Sequence, residues 1–277
     1  MSTHPGGTGP ATDAANARGS LAARRLTLGY PNRPVVDGLD LDVPTGALTV
    51  IVGPNGCGKS TLLRGLGRLL APRAGAVLLD GVALDRIGTR ELATRLGILP
   101  QSPLVPEEVT VTDLIGRGRQ PHQRWWRQWS ADDAAAVREA MTRADVTHLA
   151  DRPVDTLSGG QRQRVWIAMA LAQQTPILLL DEPTTYLDLA HQVEVLDLLR
   201  RLVRDGRTVV AVLHDLNQAA RYADHVVAMR DGRVVARGAP AGVLTADTIG
   251  EVFGLECVVV PCPVTGAPLV LPALSTA

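Results

Sequence analysis

Nine consecutive residues, Gly53-Pro54-Asn55-Gly56-Cys57-Gly58-Lys59-Ser60-Thr61, have the types and the spacing to hold the phosphates of a nucleotide. The glycines let the backbone curl so that successive N–H groups converge on one anion, with the positive end of a following helix behind them. Lys59 is placed to reach the β- and γ-phosphates, and the Ser60 hydroxyl to bind Mg2+. Lys59 is also the only lysine in the chain, every other one of its 28 Lys and Arg residues being arginine. A compact point charge suits a tight phosphate cradle better than a planar guanidinium fork does.

Other polar groups fall at the ends of apolar runs. Pro176-Ile177-Leu178-Leu179-Leu180 reads as a buried strand and delivers Asp181-Glu182-Pro183, while the run 208–213 delivers His214-Asp215. Ligands of open α/β sheets bind at that end of the strands. Asp181 can hold the shell of Mg2+, and Glu182 can polarise a water for in-line attack. Leu157-Ser158-Gly159-Gly160-Gln161 opens a helix through Ala172 and offers a hydroxyl and N–H groups at a positive helix end. It is a second anion site, about a hundred residues from the first. Gln101 ends a brief strand before a Pro-rich loop at 102–106; taken alone, it reads as a surface glutamine able to feel both nucleotide and a partner. Tyr30, 23 residues ahead of Gly53, can stack its ring on a base, with an ordinary core or edge aromatic as the alternative.

The elements that position these groups follow from apolar patterning. Leu48-Thr49-Val50-Ile51-Val52 reads as a buried parallel strand before the loop, and residues 60–70 as the helix after it. Residues 22–30 and 34–43 form an expected antiparallel flap, and 76–79 a strand turning at Asp80-Gly81. A short helix at 91–96 and a strand at 97–100 follow. The stretch 112–149 is helical in texture, with a polar loop at 117–123 and an N-cap at Ser130 backed by Asp132 and Asp133. Trp125, Trp126 and Trp129 mark either a docking face or the core of a small helical subdomain. Residues 226–230 and 233–236 flank Asp231-Gly232 as a hairpin, 247–253 is a last helix, and 257–272 is an extended, Pro-rich tail with no assignable chemistry.

Bulk numbers bound the classes. A chain of 277 residues with zero formal charge has ample core but no global positive field to favour nucleic acid as a partner. Three sparse cysteines, Cys57, Cys257 and Cys262, fit a reducing compartment, and the Cys257/Cys262 pair has no further zinc ligands nearby. No apolar run reaches the roughly 18 residues that span a bilayer. Residues 1–20 lack an apolar stretch and read as a disordered tail rather than a secretory signal.

The order of these motifs resembles the ATP-binding-cassette ATPases over residues 20–255, and the LSGGQ segment at 157–161 is specific to that superfamily. The resemblance implies an α/β fold: a P-loop NTPase core, an antiparallel β subdomain and an inserted helical signature subdomain at about 102–172. Residues 21–255 would be the ATP-binding domain, between the 1–20 tail and an extended C-terminal tail at 256–277. By resemblance Tyr30 stacks on adenine, and Gly53, Pro54, Asn55, Gly56, Cys57, Gly58, Lys59, Ser60 and Thr61 hold the phosphates. Ser60, Gln101 and Asp181 surround Mg2+; Glu182 is the catalytic carboxylate, Gln101 the Q-loop glutamine that joins it in catalysis, and His214 the switch histidine that senses the γ-phosphate. Ser158, Gly159, Gly160, Gln161 and Asp188 then close over ATP held by a second copy, so one copy of each motif implies a homodimer.

Finer features, Asp181 to Asp188 with His191-Gln192-Val193-Glu194-Val195-Leu196, Gly116 to Gln123, and Val252 to Gly266, look like importers of iron–siderophore complexes. Tyr186, where a small residue is common elsewhere, suits that subgroup. The implied setting is the cytoplasmic face of the cell membrane, under a separate permease fed by an extracytoplasmic siderophore-binding protein. Haem and cobalamin importers share the same broad group. A soluble non-transport cassette protein usually carries two cassettes or a long coiled coil, neither of which is present. A nucleotide kinase has no place for the LSGGQ helix or His214.

Overall fold

The computed structural model describes residues 19–31, 33–101, 108–123 and 129–273. The expected tail before residue 19, the loop at 102–106, Trp125 and Trp126 lie outside them. In chain order the elements begin with β1 (Leu21–Tyr30), β2 (Arg33–Val43), β3 (Leu48–Val52), α1 (Lys59–Leu66), β4 (Ala74–Leu79) and β5 (Val82–Ala83). Next come α2 (Thr89–Arg95), β6 (Leu96–Leu99), α3 (Val111–Arg117), α4 (Ala131–Arg143) and α5 (Gly159–Ala172). The chain continues through β7 (Ile177–Asp181), α6 (Leu189–Arg204), β8 (Thr208–Val212), α7 (Leu216–Tyr222), β9 (His225–Arg230) and β10 (Arg233–Gly238). It closes with α8 (Pro240–Val243), α9 (Ala246–Phe253), β11 (Cys257–Pro261) and β12 (Pro268–Pro272).

A six-stranded sheet of order β10-β9-β3-β8-β7-β6 forms the centre, parallel except where β10 pairs antiparallel with β9. Every residue of β3, β7 and β8 is buried, which is why these strands read as unbroken apolar runs. Their side chains alternate between two cores, as the pleat requires. Leu48, Val50 and Val52 belong to a core that also holds residues of α3, α4, α5, α6 and α7, whereas Ile51 belongs to the core of α1 and the smaller antiparallel sheet β2-β1-β4-β5. In that second core Leu62, Leu63 and Leu66 of α1 meet Leu26 and Leu28 of β1.

Three stretches differ from the sequence expectation. Helix α1 stops at Leu66, short of Leu70, because Gly67 caps it and Arg68 takes a left-handed φ of 57°. The long helical stretch is broken into α3 and α4 with 3-10 turns at Gln120–His122 and Thr147–Leu149. The C-terminal tail is not merely extended: β11 and β12 pair as an antiparallel hairpin, and Val270 is buried against the body. Three helices, α6, α7 and the short α8, have no counterpart in the expected elements.

Ser130 does cap α4, its hydroxyl accepting from the Asp133 N–H in a reciprocal capping box. Asp133 has a further task. Its carboxylate lies 2.9 Å from the Arg119 guanidinium, with side-chain exposures of 6% and 8%, and Arg119 also donates to the Ala172 carbonyl. Burial pushes the Asp133 carboxyl up, but hydrogen bonds from Arg119 and Ser130 outweigh it and hold the group below its ordinary value. A depressed carboxyl stabilises the fold above its unfolded pKa, and that contribution is lost as the pH falls through the folded value. Asp133→Ala strands a buried guanidinium and is expected to destabilise the chain by about 3–5 kcal/mol. Urea unfolding at neutral pH measures this, and the gap between wild type and variant should narrow in acid.

Candidate functional site

The phosphate-type loop sits where β3 hands over to α1. Gly53 has φ 155°, and a Cβ there would lie 2.2 Å from the Met229 carbonyl oxygen, so the loop passes against β9 with no room for a side chain. The thiol of Cys57 is packed beneath the same turn, and burial pushes it above its ordinary value. Gly58, in the left-handed region at φ 106°, is the N-cap of α1 and supplies no side-chain cap. The N–H groups of the first turn therefore receive no side-chain cap among the described residues, the arrangement in which a helix start can hold an anion. Lys59 is 5% exposed, and its ammonium donates to the carbonyls of Gly53 at 2.8 Å and Pro54 at 3.0 Å. A buried ammonium needs such acceptors. The lysine holds the loop wrapped around its own charge.

Two strands over, Asp181 ends β7 with its Oδ1 accepting from the Ser60 hydroxyl at 2.9 Å. Its Oδ2 is buried with no hydrogen-bond partner among the described residues, and burial, reinforced by the neighbouring Glu182 charge, pushes the carboxyl up. An orphaned, desolvated carboxylate oxygen beside a hydroxyl is a hard-oxygen donor pair, which fits Mg2+. No group of three or more His, Cys, Asp or Glu suited to a metal occurs among the described residues. Sparse protein ligation is what Mg2+ bound to substrate phosphates requires.

Glu182, next in the chain, has a left-handed φ of 53° and a side chain 9% exposed. Its Oε2 accepts from the Gln101 amide at 2.6 Å and from the Thr185 hydroxyl at 3.2 Å, and its Oε1 lies 2.6 Å from Nε2 of His214. Gln101, Glu182 and His214, which end at or just past β6, β7 and β8, thus converge on one carboxylate. Thr185 was missed by sequence reasoning; a hydroxyl three residues after the acid was the available signal. Backbone strain at such a residue marks a site whose surroundings over-determine it.

The second anion feature stands apart. Ser158, Gly159, Gly160 and Gln161 line a cleft of about 660 Å³ with Tyr186, Leu187, Asp188 and His191, and no residue of the loop at 53–61 lines it. The Ser158 hydroxyl accepts from the Gln161 N–H, and the Gln161 side chain accepts from the Ser158 N–H. The hydroxyl hydrogen and the glycine N–H groups remain to serve an anion. Asp188 caps α6 through the His191 N–H rather than joining Asp181 and Glu182. Tyr30 is 44% exposed, its hydroxyl accepting from Arg64, so its ring edge is presented to solvent beside α1.

A family profile described as ABC transporter matches residues 36–185, more than half of the chain. The chain belongs to the ABC transporter family. Among this family, the ferric enterobactin transport ATP-binding protein of Escherichia coli K12 is 52% identical over 93% of this chain and 95% of its own length. The achromobactin transport ATP-binding protein of Dickeya dadantii is 53% identical over 91% of this chain and 94% of its own. A hemin import ATP-binding protein of Nocardia farcinica is 48% identical over 92% and 88%. Among solved structures, one described as an inward-facing metal-chelate type ABC transporter superimposes with a TM-score of 0.80 at 29% identity, covering 94% of this chain and 99% of that one. A dimeric bacterial ABC transporter cassette gives 0.72 at 29% identity over 79% and 98%. The fold described above is therefore the P-loop ABC cassette. Among the described residues of this ABC protein, no helix is long and apolar enough to cross a membrane.

Gly53→Ala is expected to clash with backbone and to lower stability by more than Gly56→Ala does, the overpacking adding about 1–3 kcal/mol to the penalty of a positive φ. Gly56→Ala, whose Cβ meets nothing within 4 Å, carries only the left-handed penalty of about 1–2 kcal/mol. Equal effects in thermal unfolding would contradict the close approach to Met229.

Proposed function

We propose that this chain is the ATP-hydrolysing subunit of an importer of ferric siderophore complexes, paired with a second copy beneath a separate membrane permease. The observation that carries the hydrolase reading is the convergence of Gln101 and His214, each 2.6 Å from Glu182, beside the Ser60–Asp181 pair. Glu182 is the group to take a proton from an attacking water, with His214 and Gln101 orienting its carboxylate and meeting the γ-phosphate. The loop from Gly53 to Thr61 and the Lys59 ammonium hold the β- and γ-phosphates, and Tyr30 offers its ring to adenine. Ser60 and Asp181, with Gln101, would hold Mg2+, which when bound neutralises phosphate charge.

Pairing of two copies is supported by the separation of the two anion features. The Ser158–Gln161 turn and Asp188 line a cleft of their own. Such a cleft has a use if it closes over ATP on the loop of another copy, so that ATP cements the pair and hydrolysis releases it. Closure is then passed to a permease near Gln101, and cargo arrives through an extracytoplasmic siderophore-binding protein. The site of action is the cytoplasmic face of the membrane. Siderophore as cargo is favoured by identity above 50% along more than 90% of the chain to relatives that transport ferric enterobactin and achromobactin. Haem is the second reading, favoured by the 48% identical hemin importer subunit.

Glu182→Gln is expected to bind ATP normally, trap an ATP-bound dimer and cut turnover by about 10²-fold or more. Hydrolysis at the wild-type rate would remove Glu182 from its role. Ser158→Arg should leave ATP binding by the single chain intact and block ATP-driven dimerisation, read by light scattering. For cargo, deletion of the gene should abolish uptake of radioiron from a ferric siderophore, restored by wild type but not by Glu182→Gln. Loss of haem or cobalamin uptake instead would replace the cargo and keep the ATPase.

A further inference from the structure

The C-terminal hairpin and the His191-Gln192 pair are sequence features that the proposed hydrolysis leaves without a task, and hydrogen bonds join them. Helix α7 begins two residues after His214. Its N-cap, Asp215, accepts from the N–H groups of Asn217 and Gln218, so those two side chains are set by the turn that carries His214. The Asn217 side chain pairs with the backbone of Val270 in β12 at both ends: its Oδ1 accepts from the Val270 N–H at 2.7 Å, and its amide donates to the Val270 carbonyl at 3.3 Å. Val270 itself is buried. On the other side, the Gln218 amide donates to Gln192 Oε1 of α6 at 2.6 Å, and the Gln192 amide donates to the Leu187 carbonyl at 3.0 Å. Leu187 immediately precedes Asp188 and lines the second anion cleft. The first turn of α7 is therefore gripped between the hairpin and the first turn of α6.

We propose that Asn217, Gln218 and Gln192 are positioning residues for His214, and that the C-terminal hairpin is the strut against which they hold it. The grip links the His214 turn to the Leu187-Asp188 turn, so the group facing Glu182 and the group facing the second copy's nucleotide are set together. Asparagine and glutamine suit this because each amide can donate and accept at once, which no charged or hydroxyl side chain of that length does in the same plane. The inference rests on the assignment of Glu182 and His214 above.

The test uses the full chain, with Gln218→Ala, Gln192→Ala and Asn217→Ala measured for ATP affinity, for kcat and for thermal midpoint. Each is expected to bind ATP as wild type does and to lose kcat by roughly 3- to 30-fold, the scale on which such networks modulate a site. The decisive measurement places Gln218→Ala in a His214→Ala background. A residue that acts through His214 has nothing left to position there, so the second substitution should be silent in single-turnover hydrolysis. A further drop of the same size in that background would make Gln218 a general support of the fold and overturn the proposal, as would full turnover in Gln218→Ala and Gln192→Ala. If Asn217→Ala fails to fold, the two glutamine variants decide. Wild-type chain without ATPase activity, or His214→Ala with full activity, would fail the parent reading first and so be told apart.

Discussion

A lone ammonium buried at the end of the central strand is the constraint around which this molecule is built. Lys59 is 5% exposed and has for partners the carbonyls of Gly53 and Pro54. A charge removed from water in this way is tolerated only while its acceptors stay in place. The loop must therefore remain wrapped, which in turn requires Gly53 to lie flat against the Met229 carbonyl and β9 to run beside β3. The parallel sheet is thus more than a platform: its register sets the wall against which the loop is pressed.

Charge of the opposite sign is arranged at neighbouring strand ends with equal economy. Asp181 keeps one oxygen on Ser60 and one without a partner among the described residues, whereas Glu182 collects Gln101, His214 and Thr185. Adjacent carboxylates with such different surroundings are suited to different tasks, one to a cation and the other to a proton. Glu182 has a left-handed backbone, and its carboxylate meets Gln101 and His214 just past the ends of β6 and β8. Away from this cluster, the buried Arg119–Asp133 pair fixes the start of α4 to the end of α5, and Arg164 of α5 pairs with Asp145, just past α4, and with Glu194 of α6. Of these, the Arg164–Glu194 pair links α5, which opens at the Ser158 turn, to α6.

Much of this was legible before folding because it is local. A turn such as Asp80-Gly81, a cap such as Ser130 or Ser158, and an apolar run such as Leu48 to Val52 each depend on a handful of adjacent residues, and each forms as read. Where reading failed, a local rule met a competing one. Helix α1 stops early because Gly65 and Gly67 lower helix propensity just where Leu66 completes its burial in the core. Helix α6 overlaps the stretch His191 to Leu196, which reads as a family motif, although Val195, Leu196, Leu198, Leu199 and Leu202 are buried at helical spacing. The tail looked featureless since Pro261, Pro263, Pro268 and Pro272 interrupt any pattern, yet Pro is tolerated at the ends of a two-stranded edge, and β11 and β12 pair across it.

The amino-acid order by itself determined which candidate groups exist: a glycine loop with the chain's only lysine, two adjacent acids and a histidine after apolar runs, and two separate turns of the kind that receive anions. Those follow from residue type and from spacing within a few positions, where backbone geometry is nearly fixed by the residues themselves. Only the tertiary structure decided who meets whom over long separations. Gln101 and His214, 81 residues before Glu182 and 32 after it, share that carboxylate because β6, β7 and β8 lie side by side. Asn217 finds Val270 because the last hairpin packs on α7. Strand order and docking come from burying two cores at once, a sum over many residues, and no short stretch of sequence carries that sum.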